Sequence, residues 1–413
     1  MNTRKKVFFD RLFCVPVAVA LNFIARVFGK ALSRNHSDSP DTVKAIIVAK
    51  FAGLGSIVQS TPLLEALHQR FPAAKIIFFT SNKNADLVGR LEHVDGIVGI
   101  DERNFLTVFF STLVGLSRIT RLRADLYFDL EIYSAFASCM AILALARNRY
   151  GFYRGSSVHK IGIYTHLVFF NTRVEIREIY LQLGLSAGCA RPIEGKLGSI
   201  AIWDSDYREY ERLDIPGAPL VVLNPNASDL MIERRWPLEN FQELALELKK
   251  SANLVTVGSA SERNYVSALE SVGVLNLAGK LSLGALLVLL KKCDLLVTND
   301  TGPMHFAWAL GTPTVSLFGP VDPKHYGMRA GNIRILYKPI YCSPCVHEVD
   351  EPPCGGNNVC MQRISVTEAL DASLRLLRGE MSSTPEAART ESFFLSQDRR
   401  ALGRIERASI EVF

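Results

Sequence analysis

The densest run of residues able to do chemistry is Asn299–Pro320 (NDTGPMHFAWALGTPTVSLFGP), directly after the apolar run Asp294–Thr298 (DLLVT). Asp300 and Thr301 fall in a loop, Gly302 lets main chain approach a ligand, and Pro303 suits the first turn of a helix continuing through Met304. The free amides and positive dipole end of that helix form a natural seat for a diphosphate. His305 adds a further hydrogen-bond donor on the first turn. The structural alternative is a well-capped helix, because Asp and Thr also cap helices for purely structural reasons.

Such a loop needs a strand before it and a helix after it, and the chain supplies that rhythm twice. Short apolar runs typical of buried parallel strands occur at Lys44–Lys50, Lys75–Thr80, Ile97–Ile100 and Asp125–Glu131 (DLYFDLE), with helical patterns between them. The rhythm weakens around Gly188–Ile215. It restarts with Pro219–Asn224, Asn253–Val257, Val274–Leu277, Asp294–Thr298 and Thr314–Phe318, with helices expected at Leu238–Lys250, Ser282–Leu290 and Pro303–Leu310. This predicts an α/β chain of two Rossmann-like, doubly wound domains, residues 43–205 and 206–378, facing a central cleft. Ligands of such sheets lie outside the carboxyl ends of the strands. Residues 1–42 read as a helix and linker, and 379–413 as a flexible tail.

Composition narrows the partners. The 413 residues are 48% hydrophobic with a net charge of +6, enough apolar material for two cores. The basic excess is clustered near the N-terminus (Arg4, Lys5, Lys6, Arg11, then Arg26, Lys30 and Arg34) without the basic and aromatic interleaving of nucleic-acid binders. An anionic membrane surface or acidic substrate fits better. The apolar run Leu12–Phe28 is broken by Arg26 and lacks a small-residue cleavage site. It reads first as a membrane-surface helix with basic anchors, then as a spanning anchor, with a helix packed on the body as the alternative.

Of eight cysteines, Cys14, Cys139, Cys189 and Cys293 are isolated and read as core residues. Cys342, Cys345, Cys354 and Cys360 fall within nineteen residues and offer a tetrathiolate zinc set. Their spacing is short for a zinc ribbon, and a structural loop feature is the competing reading.

The string Asp300-Thr301-Gly302-x-x-His305, then Ala309-Leu310-Gly311-Thr312-Pro313 and Phe318-Gly319-Pro320-Val321-Asp322-Pro323, resembles glycosyltransferase family 9, the heptosyltransferase-like enzymes of lipopolysaccharide synthesis. The resemblance extends over roughly residues 43–375 and implies a GT-B fold. Asn224-Pro225-Asn226-Ala227-Ser228 and Arg234-Arg235-Trp236-Pro237 look like the family's loop whose basic residue meets the donor phosphates, with Arg234 where Lys is more usual. Gly258–Glu262 resembles the loop whose Glu, here Glu262, holds the donor ribose. By resemblance, Asn226, Ser228, Arg234, Glu262, Asp300, Thr301, Gly302, Pro303, Met304 and His305 form the donor site, and no metal or other cofactor is required. Gly53, Gly55 and Ser56 form the acceptor-side loop. Arg154, His159 and Lys160 are candidates for acceptor phosphates, with solvated surface charge as the alternative.

Lys50–Pro62 (KFAGLGSIVQSTP) departs from the family at one position, having Gly55-Ser56 where Gly-Asp is usual. That Asp is the expected base, and a serine hydroxyl is no base near neutrality without a partner to take its proton. The readings left open are a replacement carboxylate, transfer with little base assistance, or catalytic silence. Alternation along a strand puts Glu131 and Asp129 on one face at its cleft end, so these are the candidate bases, with strand-end capping as the alternative.

The expected function is an inverting glycosyltransferase moving a sugar (heptose or similar) from a nucleotide-diphosphate donor to a lipopolysaccharide or other envelope glycolipid acceptor. It would work from the cytoplasmic face of the inner membrane, peripheral or monotopic, without nucleic acid as a partner. The alternative is a catalytically silent nucleotide-sugar-binding scaffold. A dinucleotide-binding oxidoreductase is excluded, because no G-x-G-x-x-G follows the first strand.

Overall fold

The computed structural model describes residues 8–32, 36, 41–155, 160–192, 197–227, 231–346, 348–349, 352–381 and 395–396. The first sheet contains β1 (Ala45–Ala49), β2 (Lys75–Ser81), β3 (Gly96–Ile100), β4 (Leu126–Asp129), β5 (Asn148–Tyr153) and β6 (His166–Phe169). The second contains β7 (Leu220–Asn224), β8 (Asn253–Thr256), β9 (Leu275–Asn276), β10 (Leu295–Asn299), β11 (Thr314–Phe318) and β12 (Ile333–Tyr337). The orders are β6-β5-β4-β1-β2-β3 and β12-β11-β10-β7-β8-β9, and every pairing among these twelve is parallel. The near-continuous Val, Ile and Leu runs in β1, β7 and β10 follow from burial on both faces.

Each sheet reverses its strand order once, between β1 and β4 and between β7 and β10. There the following loops diverge and leave a crevice. Register sets what lies at each crevice: Ala49 pairs with Asp129, and Thr298 with Asn224. Beyond them come the Lys50–Ser56 loop in one half and the loops at Asn226 and Asp300 in the other.

Three strands fall where the apolar pattern is broken. β5, β6 and β12 carry Asn148, Arg149, His166 and Arg334, yet their main chains complete the two sheets. Leu395 and Ser396 pair antiparallel with β6 (Leu395 with Leu167), so this piece of the expected tail extends the first sheet. The rest of the tail beyond residue 381 lies outside the described residues.

The helices that matter for the site are α1 (Val15–Leu32), α2 (Leu54–Val58), α3 (Thr61–Arg70), α4 (Phe105–Arg121), α5 (Ala135–Leu143), α6 (Ile176–Ser186), α7 (Asp204–Glu211), α8 (Leu238–Leu248), α9 (Leu283–Lys292), α10 (Gly302–Leu310) and α11 (Val366–Leu377). The 205/206 boundary expected from sequence cuts α7, which packs on α9 of the second half. α7 is tied back to the first half by Arg90, whose guanidinium grips Asp206 through Nη1 (2.5 Å) and Nη2 (3.1 Å) and stacks on Trp203. This charge pair is buried and bidentate, the geometry in which an Arg–carboxylate contact fixes orientation.

Candidate active site

The donor side is built by asparagines at strand ends. Asn224 Nδ2 donates to Thr298 Oγ1 (2.8 Å) and Thr301 Oγ1 (2.7 Å). Asn299 Nδ2 donates to the carbonyls of Pro225 (2.9 Å) and Asn226 (3.2 Å), and its Oδ1 accepts from the Trp236 amide (3.1 Å). Trp236 is buried and anchors the loop after Arg234 by an indole bond to the Ile364 carbonyl. Asn226 Nδ2 bonds Asn224 Oδ1 (3.1 Å) and the Val257 carbonyl (2.7 Å), while its buried Oδ1 has no partner. An orphaned buried acceptor carries a cost that a donor group on a ligand removes.

Thr301 stands at the cap position of α10, but its side chain makes no capping bond because its hydroxyl is turned to Asn224. The first turn of α10, with Gly302, Pro303 and Met304, therefore keeps its positive end open to an anion. Arg234 stands at that mouth, with Nη1 donating to the Asp300 carboxylate (3.3 Å) and carbonyl (3.2 Å). Glu262 accepts from the amide and hydroxyl of Ser259 (both 2.7 Å), which fixes its loop beside Gly258. Ser228 and His159 lie outside the described residues.

His305 joins the two halves. It is buried, and its ring lies over Gly55, where an added Cβ would come within 2.1 Å of Cδ2. Gln59 Nε2 lies 3.1 Å from His305 Nδ1. An amide nitrogen only donates, so Nδ1 accepts and the imidazole proton sits on Nε2, 3.9 Å from Asp300 Oδ1. Burial pushes His305 down to about 4, against the pull of Asp300 and with help from Arg234, so the ring is neutral near pH 7. A second bridge is His325, whose Nδ1 lies 2.6 Å from the Val174 carbonyl of the first half.

On the acceptor side the expectation about the carboxylates is corrected. β4 ends at Asp129, so Glu131 lies beyond the strand and does not share its alternation. Asp129 has no exposure; one oxygen accepts from the Tyr164 hydroxyl and the other from the Glu131 amide (2.9 Å). Burial lifts it to about 6, opposed by Lys160 and the Tyr164 bond. Glu131 Oε1 accepts the amides of Phe51 and Ala52 (both 2.9 Å), and Oε2 pairs with Lys50 (2.9 Å). Burial works to raise it, but the Lys50 charge and these bonds outweigh burial and hold it below the ordinary Glu range. Neither is an open base in this structure: one is sealed in the core, and the other clamps the loop that carries Gly53, Gly55 and Ser56.

Lys160 is likewise not at the surface. It is buried and donates to the carbonyls of Glu131 (3.1 Å) and Ile132 (2.7 Å), which corrects its reading as a contact for acceptor phosphates. Arg154 remains near the surface, bonded to Tyr133 (3.0 Å). Ser56 shares a hydrogen bond with the Tyr180 phenol, which burial pushes far above the neutral range, so Tyr180 cannot take its proton. Lys50, Gln59, Asn224 and Asn299 lie inside recognised motifs but were given no task, and Tyr180 lies outside them; only tertiary pairing reveals what each does.

The cysteine expectation is also corrected. Among the described residues no three His, Cys, Asp or Glu side chains assemble to hold a metal ion. Cys345 and Cys360 are buried and Cys342 and Cys354 half-buried, all as free thiols. The segment packs behind the Phe318-Gly319-Pro320 turn, where a Cβ on Gly319 would meet Met361 and, at 3.0 Å, Cys360 Sγ.

Two parallel Rossmann-like halves that close the open end of α10 against a Gly-rich loop have the architecture of the GT-B class. The chain matches the description "Glycosyltransferase family 9 (heptosyltransferase)" over residues 198–354. It is similar to lipooligosaccharide heptosyltransferase 2 of Campylobacter jejuni, 22% identical over 79% of this chain and 96% of that protein. It is also similar to lipopolysaccharide heptosyltransferase 3 of Escherichia coli, 24% identical over 81% and 98%. A family 9 glycosyltransferase from Veillonella parvula shares the fold with a TM-score of 0.67, 20% identity, and coverage of 84% of this chain and 100% of that one. For the ADP-heptose lipopolysaccharide heptosyltransferase II of E. coli the TM-score is 0.64, with 20% identity and coverage of 81% and 99%. Family model, relatives and fold agree in supporting a heptosyltransferase-like glycosyltransferase similar to family 9.

Two outcomes follow from the geometry. Gly55→Ala forces His305 off its seat, and isothermal titration with a nucleotide-diphosphate sugar should show binding weakened at least about tenfold, or about 1.4 kcal/mol, within what overpacking of a core costs. The pH dependence of melting separates the two shifted groups. His305, depressed from 6.5 to about 4, adds stability that is complete above pH 6.5 and lost as pH falls toward 4. Asp129, raised from 3.8 to about 6, acts oppositely, its protonated form gaining stability as pH falls from 6 to 3.8. Asp129→Asn should therefore steepen the acid loss of stability between pH 6 and 4, and His305→Gln should flatten it.

Proposed function

We propose that the protein is an inverting glycosyltransferase that takes a heptose-like sugar from a nucleotide-diphosphate donor to a lipopolysaccharide or other envelope glycan. It acts at the cytoplasmic face of the inner membrane. Support for the sugar comes from the relatives, which include two lipooligosaccharide or lipopolysaccharide heptosyltransferases matched nearly end to end, and from an E. coli heptosyltransferase structure with ADP-2-deoxy-2-fluoro heptose. The observation that carries the reading is the uncapped end of α10 with Arg234 at its mouth, facing the Gly53–Ser56 loop across His305.

In this reading the donor diphosphate lies on the first turn of α10, with Arg234 released from Asp300 to meet it. Asn226 Oδ1 accepts from the nucleotide, and Glu262 holds the ribose. The acceptor hydroxyl enters over Gly53 and Ser56 and attacks the anomeric carbon opposite the leaving diphosphate, inverting it. Negative charge grows on the departing phosphate, so the helix end, Arg234 and the His305 Nε2–H supply most of the stabilisation. Glu131 shapes the acceptor loop through Lys50 and two amides; as base it would first have to leave Lys50. Transfer with weak base assistance agrees better with these contacts than a strong carboxylate base.

The second reading, a catalytically silent nucleotide-sugar-binding scaffold, is favoured by Ser56 and by the engagement of both nearby carboxylates. Release of ADP from ADP-heptose on addition of a truncated lipopolysaccharide acceptor separates the two. We expect turnover, and Ser56→Ala should retain it within about tenfold, because removal of a true base costs about 10²–10⁴. Glu131→Gln should lower both turnover and melting temperature by loosening residues 50–52. A chain that is stabilised by ADP-heptose but never releases ADP is a scaffold.

A further inference from the structure

The π-helical turn Asp10–Cys14 runs into α1, and the two are docked together with their polarity reversed. Asp10, Cys14, Ala18 and Asn22, four residues apart, form one stripe, and this stripe of polar and small residues faces the protein. Asp10 accepts the amides of Ala135 (2.8 Å) and Phe136 (2.7 Å) at the start of α5. The Cys139 thiol donates to the Cys14 carbonyl (3.6 Å), and Ala18 is fully buried. Asn22 is buried against Gly162, where a Cβ would fall 2.0 Å from its Oδ1. The large apolar side chains point the other way: Phe8, Leu12, Phe13, Val19, Phe23 and Val27 are each at least half exposed. A helix of an aqueous protein buries its apolar face; this one displays it.

α4 repeats the pattern beside it. Phe105, Leu106, Phe109, Phe110, Leu113 and Val114 recur at helical spacing, and all are between 50% and 64% exposed. The two displays join where the Phe9 ring packs edge-on against Phe105, with centroids 5.1 Å apart. Charge is one-sided. α4 contains no carboxylate, and Arg118 and Arg121 continue its stripe at the C-terminal end. From residue 8 to 32 the only carboxylate is Asp10, which is turned inward, while Arg11 and Arg26 are exposed.

We propose that the outer faces of α1 and α4 together form a monotopic docking surface for an anionic phospholipid bilayer. α1 lies in the membrane plane and the phenylalanines of both helices enter the acyl boundary. An exposed apolar area of this extent marks an interaction site, and an aromatic face whose two helices show arginines and no carboxylate outward, with Asp101 paired to Arg103 at the start of α4, selects lipid with anionic headgroups. Residues 10–28 are long and apolar enough to cross a bilayer. Crossing, however, would strip Asp10 from α5 and pull Ala18 and Asn22 off the first half. α4 is an integral helix of that half, packed on β3, so the acceptor crevice is carried to the headgroup level as one body. This rests on the reading that the acceptor is a membrane glycolipid, and the test keeps the two apart.

The test is flotation of the full chain with vesicles of phosphatidylethanolamine and phosphatidylglycerol, and with vesicles of phosphatidylcholine alone. The chain should float with the first far more than with the second. Phe109→Asp combined with Phe110→Asp should lower the floated fraction roughly tenfold or more, from the apolar area withdrawn. Melting temperature and donor binding should stay unchanged. Leu113→Ser with Val114→Ser is the milder companion and should act in the same direction. Transfer to acceptor in vesicles should fall with flotation, while transfer to detergent-dispersed acceptor stays. Unaltered flotation in both α4 variants overturns the proposal. So does an α4 variant that splits a dimer into monomers and still floats, which would assign the face to a second copy. If wild type floats as expected but transfers no sugar to any acceptor, the enzymatic reading fails and the docking surface stands.

Discussion

The architecture turns on the absence of one carbon atom. Gly55 has no Cβ, and in the space left the His305 ring crosses from the second half to the first and reaches Gln59. With that contact the positive end of α10 closes against the acceptor loop, and the imidazole keeps its proton on Nε2, toward Asp300 and the anion seat. Replace the glycine with any L-residue and the halves part or the ring turns. Burial of the ring then makes it neutral, so that in the proposed reading it donates a hydrogen bond to the diphosphate without adding a charge.

From this contact the tasks of the surrounding polar groups follow. Asparagines at the ends of β7 and β10 hold the loops whose amides and Arg234 we propose to meet the leaving group. Across the cleft, the buried set Lys50, Glu131, Asp129, Lys160 and Tyr164 fixes the turn after β4 and the loop after β1. Buried charges persist where each is paired and hydrogen-bonded, and this set meets that condition. Its members are therefore poorly placed to exchange protons with a substrate. In the proposed reading the catalytic emphasis moves to the leaving-group side, where the fixed dipole of α10 acts without reorganisation and Arg234 joins it on release from Asp300.

Much of the fold was legible because burial on both faces writes β1, β7 and β10 as largely apolar runs. The donor loop was legible because Gly302, Pro303 and Gly311 each answer a backbone demand, Gly311 adopting φ 76° at the end of α10. β5 and β6 escaped notice because Asn148, Arg149 and His166 break the pattern, and their partners come from tertiary pairing. Glu131 was misplaced by a strand one turn of alternation shorter than its apolar run implied, and Lys50, its partner, lies 81 positions earlier in the chain. The reversed first helix shows the same limit. Its apolar content was plain, but only the contacts of Asp10, Cys14, Ala18 and Asn22 reveal which side faces the protein.

The central claim is that the end of α10 and Arg234 stabilise the departing diphosphate while no carboxylate base dominates. A single-turnover rate of sugar transfer from ADP-heptose, measured for wild type and Arg234→Gln at saturating donor, tests it most directly. The account predicts a fall of roughly 10²–10³, with melting temperature nearly unchanged because Arg234 stands at the rim of the cleft. A rate for Arg234→Gln within a factor of about three of wild type would contradict it.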